Sequence, residues 1–162
     1  MTSFVQGVVS HSAQRSPKVI TNSLTTLLKK HKTIVDGLAL ILELGRYLVT
    51  EAEVCVSRVV GIPLSRGIND LVCDSGLDHH LGNSGHVIRQ NYPVAIGNKL
   101  KGDAQELVNI VAPLHTLLDV FADKVMLAKS SMGAYVVIFQ SGAYGASASP
   151  KNFLSRPQVS EL

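Results

Sequence analysis

Three loops of the sequence carry residues whose types and spacing could do chemistry, and the first follows an apolar run. Residues 38–44 (LALILEL) are almost continuously apolar, as in a strand buried on both faces, and Gly45 and Arg46 come directly after them. α/β barrels place their active sites at this end of a strand. A glycine there lets backbone N–H groups approach an anion, and the Glu43 carboxylate can meet a cationic ring nitrogen. The alternative is a strand-end salt bridge between Glu43 and Arg46.

The second loop, residues 141–150, follows the strongest predicted strand, 134–140, and consists mostly of small residues around Tyr144. Small residues and a tyrosine hydroxyl suit the binding of a phosphate or the close approach of a backbone. A flexible surface loop is the alternative, and the residues alone favour neither.

The third loop, residues 77–86, belongs to a cluster of potential metal ligands: Asp74, Asp78, His79, His80 and His86. Adjacent histidines on a strand point to opposite faces, and no second pair at a fixed spacing is present, so a polar loop is favoured over a metal site. His115 likewise has no spacing partner in the sequence, which favours a core or interface histidine.

The composition places the chain among globular proteins of one domain or slightly more. It has 162 residues, 46% of them hydrophobic, and its net charge of +3 is too small to predict a nucleic-acid partner. The segment before Asp36 contains basic residues and no acidic one, which is typical of a transit peptide or, as we favour, of a basic helix after a loose tail. No apolar run reaches the ~18 residues of a membrane span, so we expect a cytoplasmic protein with no membrane partner. Cys55 and Cys73 are expected to be buried free thiols.

The elements that must position these loops are predicted from hydrophobic periodicity. Residues 1–20 show no clear period, and residues 21–32 predict an amphipathic helix with Asn22 or Ser23 as its N-cap. This helix and the buried strand 38–44 make half of an α/β repeat. One such unit cannot bury a two-sided strand by itself, so the strand needs neighbours from outside this sequence.

From residue 47 onward the pattern is that of a β protein. Alternating or apolar segments, separated by turn signals, predict strands at 47–60, 68–76, 106–114, 124–128 and 134–140, with weak strand character at 152–162. This succession of short strands predicts a mainly β fold, either a barrel or a sandwich.

Four motifs, in order, resemble the pyridoxal-phosphate-dependent decarboxylases of the ornithine/diaminopimelate/arginine decarboxylase type, which have fold type III. They are ELGRYLVTEA (43–52), CDSGLDHHL (73–81), APLHTLLDVFADKV (112–125) and VVIFQSGAYGASASPKNFLSRP (136–157). The phrases NYPVAIGN and FQSGAYGASAS are most similar to the subgroup associated with exosortase systems. The resemblance is to the C-terminal part of the family.

The resemblance implies a fold and a domain organisation. The family has an N-terminal α/β barrel that carries the cofactor, then a C-terminal β-barrel domain, and its active sites lie at the interface of a head-to-tail dimer. Residues 21–46 would be the remnant of the last helix and strand of the α/β barrel. Residues 47–162 would be the C-terminal Greek-key-like β-barrel or sandwich domain, and residues 1–20 a loose N-terminal segment.

The resemblance also implies contacts with pyridoxal 5'-phosphate. Glu43 matches the carboxylate that pairs with the protonated pyridine nitrogen of the cofactor. Gly45 and Arg46 match the loop that holds the cofactor phosphate, and Tyr144 matches the tyrosine that reaches the same phosphate. One departure lies within this set, because Leu44 stands where the family motif has proline.

Two further residues match catalytic positions of the family. Asp119 matches an acidic position near the amine end of the substrate. His115 falls on the cysteine that is donated across the dimer and protonates the carbanion. An imidazole can donate a proton, but it is bulkier than a thiol. Ala112 also departs from the family, which has glycine before the proline of this motif.

The Schiff-base lysine of the family belongs to an early barrel strand, and no lysine of this sequence has a comparable setting. We therefore expect the C-terminal portion of an amino-acid decarboxylase, inactive alone, with weak or absent cofactor binding. Its partner would be a further copy of the chain or a separate chain that contains the barrel. The alternatives are a non-catalytic homologue that regulates a decarboxylase through the retained dimer surface, and a free-standing β-barrel binding module.

Overall fold

The computed structural model describes residues 17–38, 45–81, 91–100 and 106–162. Contacts within the chain define two compact units, Met1–Tyr47 and Leu48–Leu162. Most of the predicted strand 38–44 lies outside the described residues, as do residues 1–16. The predicted division of the chain into three segments therefore stays a prediction.

The described part of the first unit is helical. Helix α1 spans Pro17–Lys30 and helix α2 spans Lys32–Val35. The predicted turn follows at residues 36–37, where Gly37 has a φ of 72°, in the left-handed region that glycine adopts without strain. Helix α3, Gly45–Val49, spans the boundary between the two units.

Helix α1 begins earlier than the sequence predicted. Residues 17–20, expected to be loose, are helical, and the expected N-cap at Asn22 or Ser23 is wrong. A proline at the start of a helix has its φ already set and lacks an N–H that would need a partner, so Pro17 favours a start at that point. Asn22 lies inside the helix, where its carbonyl accepts a hydrogen bond from the Thr26 hydroxyl at 2.9 Å.

The described residues of the second unit contain seven strands, with short 3₁₀ turns before, between or after them. The strands are β1 (Cys55–Gly61), β2 (Leu64–Ser65), β3 (Ile68–Cys73), β4 (Val94–Ile96), β5 (Glu106–Val111), β6 (Val120–Leu127) and β7 (Tyr135–Ile138). The 3₁₀ turns are Thr50–Ala52, Gly97–Lys99, Ala146–Ala148 and Phe153–Ser155.

The strands form one mixed sheet in the order β4-β7-β1-β3-β5-β6, with β2 paired to β3. Strands β3 and β5 pair in parallel, and the other pairs are antiparallel. The sheet curls into a nearly closed barrel, so the predicted mainly β fold is confirmed.

The core of this unit comes from the inward faces of the strands. Along β1, the buried residues Ser57 and Val59 alternate with exposed residues, as expected of a strand with one face in water. Fully buried side chains include Leu71, Ile110, Phe121, Val136 and Ile138. Burial of each of these aliphatic side chains stabilises the folded state by about 1.5–3 kcal/mol. The sheet is therefore a stable support for the loops at its ends.

Two predicted strand regions do not form strands. Residues 47–54 alternate in polarity, but they form the end of α3 and a 3₁₀ turn, and the strand begins only at Cys55. The carbonyls of Thr50 and Glu53 accept hydrogen bonds from the loop after β7, which holds this stretch away from a ladder. The tail at 152–162 contains a 3₁₀ turn and irregular backbone in place of a strand.

No helix in the described ranges is both long enough and apolar enough to cross a membrane.

Candidate functional site

The His115 loop, residues 112–119, connects β5 to β6. Backbone hydrogen bonds close its base, since the N–H of Ala112 donates to the carbonyl of Asp119 at 3.0 Å and the N–H of Asp119 donates to the carbonyl of Thr116 at 3.2 Å. His115 is exposed. Its imidazole is therefore accessible to a molecule that approaches this loop.

Asp119 is buried at the base of the His115 loop, with 2% of its surface exposed. Its carboxylate accepts one hydrogen bond from the backbone N–H of Leu77 and one from that of Leu114, each at 2.7 Å. Burial raises the pKa of Asp119, and these two amides offset part of that increase. The carboxylate thus holds the backbone of two loops. Its predicted contact with a substrate stays a prediction.

The Tyr144 loop, residues 141–149, follows β7 and is fixed at its start. The N–H of Ser141 donates to the carbonyl of Glu53, and the N–H of Gly142 donates to the carbonyl of Thr50, each at 3.0 Å. These bonds fasten the first two residues of the loop to the segment that precedes β1.

Tyr144 has a φ of 60°, in the left-handed region that residues other than glycine rarely adopt. About half of its surface is exposed. The loop lies so close to Val49 that position 142 requires glycine, because a Cβ there would lie 1.9 Å from the carbonyl oxygen of Val49. Six other described residues that are not glycine share this conformation, so the φ of Tyr144 does not by itself mark a functional position.

The other predicted cofactor residues lie in the first unit or outside the described residues. Gly45 is the first residue of α3 and Arg46 is the second, partly buried. Glu43 lies outside the described residues, so its expected pairing with the pyridine nitrogen stays a prediction.

Two of the potential metal ligands, Asp78 and His79, lie 3.6 Å apart, and each also contacts another group of the protein. The carboxylate of Asp78 binds the Arg156 guanidinium at 2.9 Å, and the ring of His79 contacts the carbonyl of Pro157 at 2.8 Å. The ring of His80 is buried in the core. His86 lies outside the described residues, and among the residues that are described no three histidine, cysteine, aspartate or glutamate side chains are grouped to hold a metal ion.

A cavity of about 200 Å³ lies in the second unit, between Asp78 and the C-terminal tail. It is lined by Lys151, Asn152 and Arg156, among others, and by neither Tyr144 nor His115. The lining also includes Ala146 and Ser147, so the cavity borders the Tyr144 loop without reaching the tyrosine itself.

Sequence reasoning missed several residues that shape the site. Gly76 lies so close to Asp119 that a Cβ would stand 2.7 Å from both carboxylate oxygens. The hydroxyl of Ser149, at the end of the Tyr144 loop, donates to the carbonyl of Gly145 in the same loop and accepts from the N–H of Leu81, and Arg156 pairs with Asp78. All three lie within the four motifs, but no spacing rule links residues so far apart in the chain.

Comparison with known proteins agrees with the motifs. No protein-family model matches the chain. The L-glutamyl-[BtrI acyl-carrier protein] decarboxylase of Niallia circulans is 35% identical over 127 residues, which are 75% of this chain and 30% of that protein. The diaminopimelate decarboxylase of Deinococcus radiodurans is 33% identical over 132 residues, 79% of this chain and 32% of that protein. This chain thus spans about a third of the length of these curated relatives.

Solved structures show the same fold. The diaminopimelate decarboxylase of M. jannaschii in complex with L-lysine superposes with a TM-score of 0.75 at 24% identity, over 96% of this chain and 36% of that one. The lysine/ornithine decarboxylase of Vibrio vulnificus in complex with cadaverine superposes with a TM-score of 0.72 at 19% identity, over 95% of this chain and 40% of that one.

The four motifs occur in the order found in one family, and the β unit matches the C-terminal region of that family. The similarities to known proteins point to the same family and the same region. The subgroup associated with exosortase systems stays a prediction. The chain belongs to the pyridoxal-phosphate-dependent decarboxylases of fold type III, as a C-terminal region of that family.

Proposed function

We propose that the chain is the C-terminal part of a pyridoxal-phosphate-dependent amino-acid decarboxylase, in which the β unit supplies Tyr144 and His115 to a site completed by an α/β barrel. One observation supports this most directly. Tyr144 and His115, which match functional positions of the family, are both exposed. Each lies on a loop whose ends are held by hydrogen bonds.

The described residues fit only part of a cofactor site. Eight lysines, namely Lys18, Lys29, Lys30, Lys32, Lys99, Lys124, Lys129 and Lys151, lie in the described ranges, and each is exposed. A lysine that forms a Schiff base is instead enclosed in a cofactor pocket. When bound, pyridoxal phosphate supplies an electron sink for the electrons left by the departing carboxylate. The enclosed lysine would come from the barrel, and a polypeptide of these 162 residues is proposed to be inactive alone.

Tyr144 would contact the phosphate of the cofactor. Its hydroxyl can donate a hydrogen bond to a phosphate oxygen. The backbone hydrogen bonds of Ser141 and Gly142 limit the movement of the loop that carries this side chain. Gly45 and Arg46 would add a backbone N–H and a guanidinium to the same phosphate, and Glu43 would face the pyridine nitrogen.

His115 would hold a proton for the reacting carbon of the substrate. A protonated imidazole can deliver that proton to the carbon from which the carboxylate has left. The loop that carries His115 also exposes Leu117, at 97%, and Leu118, at 40%. These two leucines are adjacent, so they would form an apolar contact surface through which the loop reaches the site of a partner.

The partner would be a further copy of the chain or a separate chain that carries the barrel, and the substrate would be an amino acid. The proposed location is the cytoplasm. The alternative is a homologue without catalysis that binds a complete decarboxylase through the His115 loop and changes its rate.

The proposal is tested in a chimera in which residues 48–162 replace the matching region of the Niallia circulans decarboxylase, which keeps its own barrel and lysine. Tyr144→Phe should weaken cofactor retention about tenfold, since a hydrogen bond to a charged group contributes about 1.5 kcal/mol or more. Tyr135→Phe, at an exposed tyrosine of β7, is the control and should change nothing. Equal retention by both variants would contradict the role of Tyr144.

Two further measurements separate the alternatives. The 162-residue chain alone, mixed with pyridoxal phosphate and dialysed, should keep no stoichiometric absorbance of a lysine-bound cofactor. A stable adduct on one lysine would contradict the proposal. Adding the chain to the complete Niallia circulans enzyme tests the regulatory alternative, which predicts a change of rate that does not depend on Tyr144.

A further inference from the structure

The 75–81 segment, which follows β3, contacts both loops of the proposed site. It forms a tight turn, because the N–H groups of His79 and His80 both donate to the carbonyl of Gly76, at 2.9 and 3.0 Å. The ring of His80, with 1% of its residue surface exposed, packs edge-on against the rings of Tyr92 and Phe121. The segment is therefore anchored in the core between its two ends.

One end of the segment holds the His115 loop. The N–H of Leu77 donates to one carboxylate oxygen of Asp119, and the N–H of Leu114 donates to the other, both at 2.7 Å. Leu114 is the residue before His115. A single buried carboxylate thus joins the backbone of the segment to the backbone next to the imidazole.

The other end of the segment holds the Tyr144 loop. The N–H of Leu81 donates to the hydroxyl of Ser149 at 2.8 Å, and the same hydroxyl donates to the carbonyl of Gly145 at 2.7 Å. Gly145 is the residue after Tyr144. The serine hydroxyl uses its acceptor and its donor at once, so an alanine at this position would break both links.

We propose that the 75–81 segment is a brace that fixes the His115 loop and the Tyr144 loop in one relative position, with Asp119 and Ser149 as positioning residues. The functional meaning of this brace rests on the proposed function, because only that proposal gives both loops a role. The contacts themselves do not depend on it. A disturbance at either end would pass through the brace and reach the loop at the other end.

The test uses the 162-residue chain, labelled for NMR, with no cofactor present. Ser149→Ala should speed hydrogen exchange of the Leu81 amide several-fold and should also shift the ring resonances of His115, which lies on the other loop. Ser147→Ala, at an exposed serine of the same loop, is the control and should leave His115 unchanged.

The reverse experiment starts from Asp119. Asp119→Asn keeps the shape of the side chain but turns an N–H donor toward one of the two amides. It should speed exchange of the Leu77 and Leu114 amides about tenfold or more and shift the amide resonance of Tyr144. Asp123→Asn, at an exposed aspartate of β6, is the control.

The brace is overturned if each variant alters only its own loop and leaves the resonances of the other loop in place. Should Asp119→Asn fail to fold, Ser149→Ala with its control decides the question alone. Because the readout needs neither cofactor nor substrate, failure of the brace can be told apart from failure of the proposed function, which is measured in the chimera.

Discussion

Gly76 and Asp119 lie against each other, so that a Cβ on Gly76 would stand 2.7 Å from both carboxylate oxygens and 3.1 Å from the Cβ of Ala112. The carboxylate cannot move aside without releasing the amides of Leu77 and Leu114. Packing therefore requires glycine at position 76, a residue that the sequence analysis did not single out. Because this glycine has no side chain, the Asp119 carboxylate can reach the backbone of both loops.

Gly76→Ala should accordingly destabilise the chain by about 1–3 kcal/mol, the usual cost of overpacking a tight site. Gly61→Ala is a matched control, because a Cβ there would meet its nearest neighbour at an ordinary 3.7 Å. Urea unfolding measures both. Equal stability of the two variants would show that the carboxylate can shift freely.

The ion pair between Arg156 and Asp78 should matter more for stability than the one between Arg58 and Asp74. Only 3% of the Asp78 side chain and 24% of the Arg156 side chain are exposed, against 57% for Arg58 and 42% for Asp74. Removing the arginine from the first pair leaves a buried carboxylate, whereas the second pair is well solvated.

We expect Arg156→Gln to lower the free energy of unfolding by about 2–3 kcal/mol, and Arg58→Gln by less than about 1 kcal/mol. Adding Asp78→Asn to Arg156→Gln should recover much of the loss, because the buried charge is then gone. The measurement is urea unfolding at one ionic strength. A loss from Arg58→Gln as large as that from Arg156→Gln would refute the ranking.

Cys73 is buried as expected, whereas Cys55 is only partly buried, and both cysteines should be unreactive in the folded chain. Burial raises the pKa of Cys55 to about 11 and that of Cys73 to about 12, so almost no thiolate is present at pH 8. A disulfide reagent should label neither thiol in the native chain and both in denaturant. Ser147→Cys, at an exposed position, should add one reactive thiol as a control. Rapid labelling of either native thiol would contradict this prediction.

Ionisation of the same two thiols should make the free energy of unfolding depend on pH. Above about pH 9 the unfolded chain loses thiol protons that the native chain keeps, so the native state binds more protons. The free energy of unfolding should therefore fall as pH rises from about 9 toward 11. A Cys55→Ala/Cys73→Ala variant should lose part of this slope, and an unchanged slope would exclude these thiols as its source.

Self-association should depend on the His115 loop, which exposes Leu117 and Leu118. Burying a leucine at an interface contributes about 1.5–3 kcal/mol, so Leu117→Ser with Leu118→Ser should weaken association at least about tenfold. Leu64→Ser, at a leucine of β2 that is 72% exposed, is the control. Sedimentation velocity measures the effect, and a monodisperse monomer of the unaltered chain at high concentration would rule out this interface.

The local pattern of the sequence predicted most of β1, β3, β5 and β7, part of β6, and the loop that carries Tyr144. It predicted neither β2 nor β4, and it named no loop around His115. The prediction from the local pattern was wrong where hydrogen bonds from distant segments determine the local structure. Residues 47–54 alternate like a strand, but hydrogen bonds from Ser141 and Gly142 to the carbonyls of Glu53 and Thr50 hold them in turns. The contacts of Asp119 could not be predicted either, because 42 residues separate it from Leu77.

The central claim is that this β unit carries the proton-donating position of a fold type III decarboxylase, with histidine where the family has cysteine. The most direct measurement is the decarboxylation rate of the chimera that joins residues 48–162 to the barrel of the Niallia circulans enzyme. His115→Cys should raise that rate about tenfold or more, since a well-placed general acid contributes on the order of 10²–10⁴. Ser147→Cys, which adds an exposed thiol to the other loop, should not. A chimera that retains its cofactor but shows the same rate with His115 and with His115→Cys would contradict the claim.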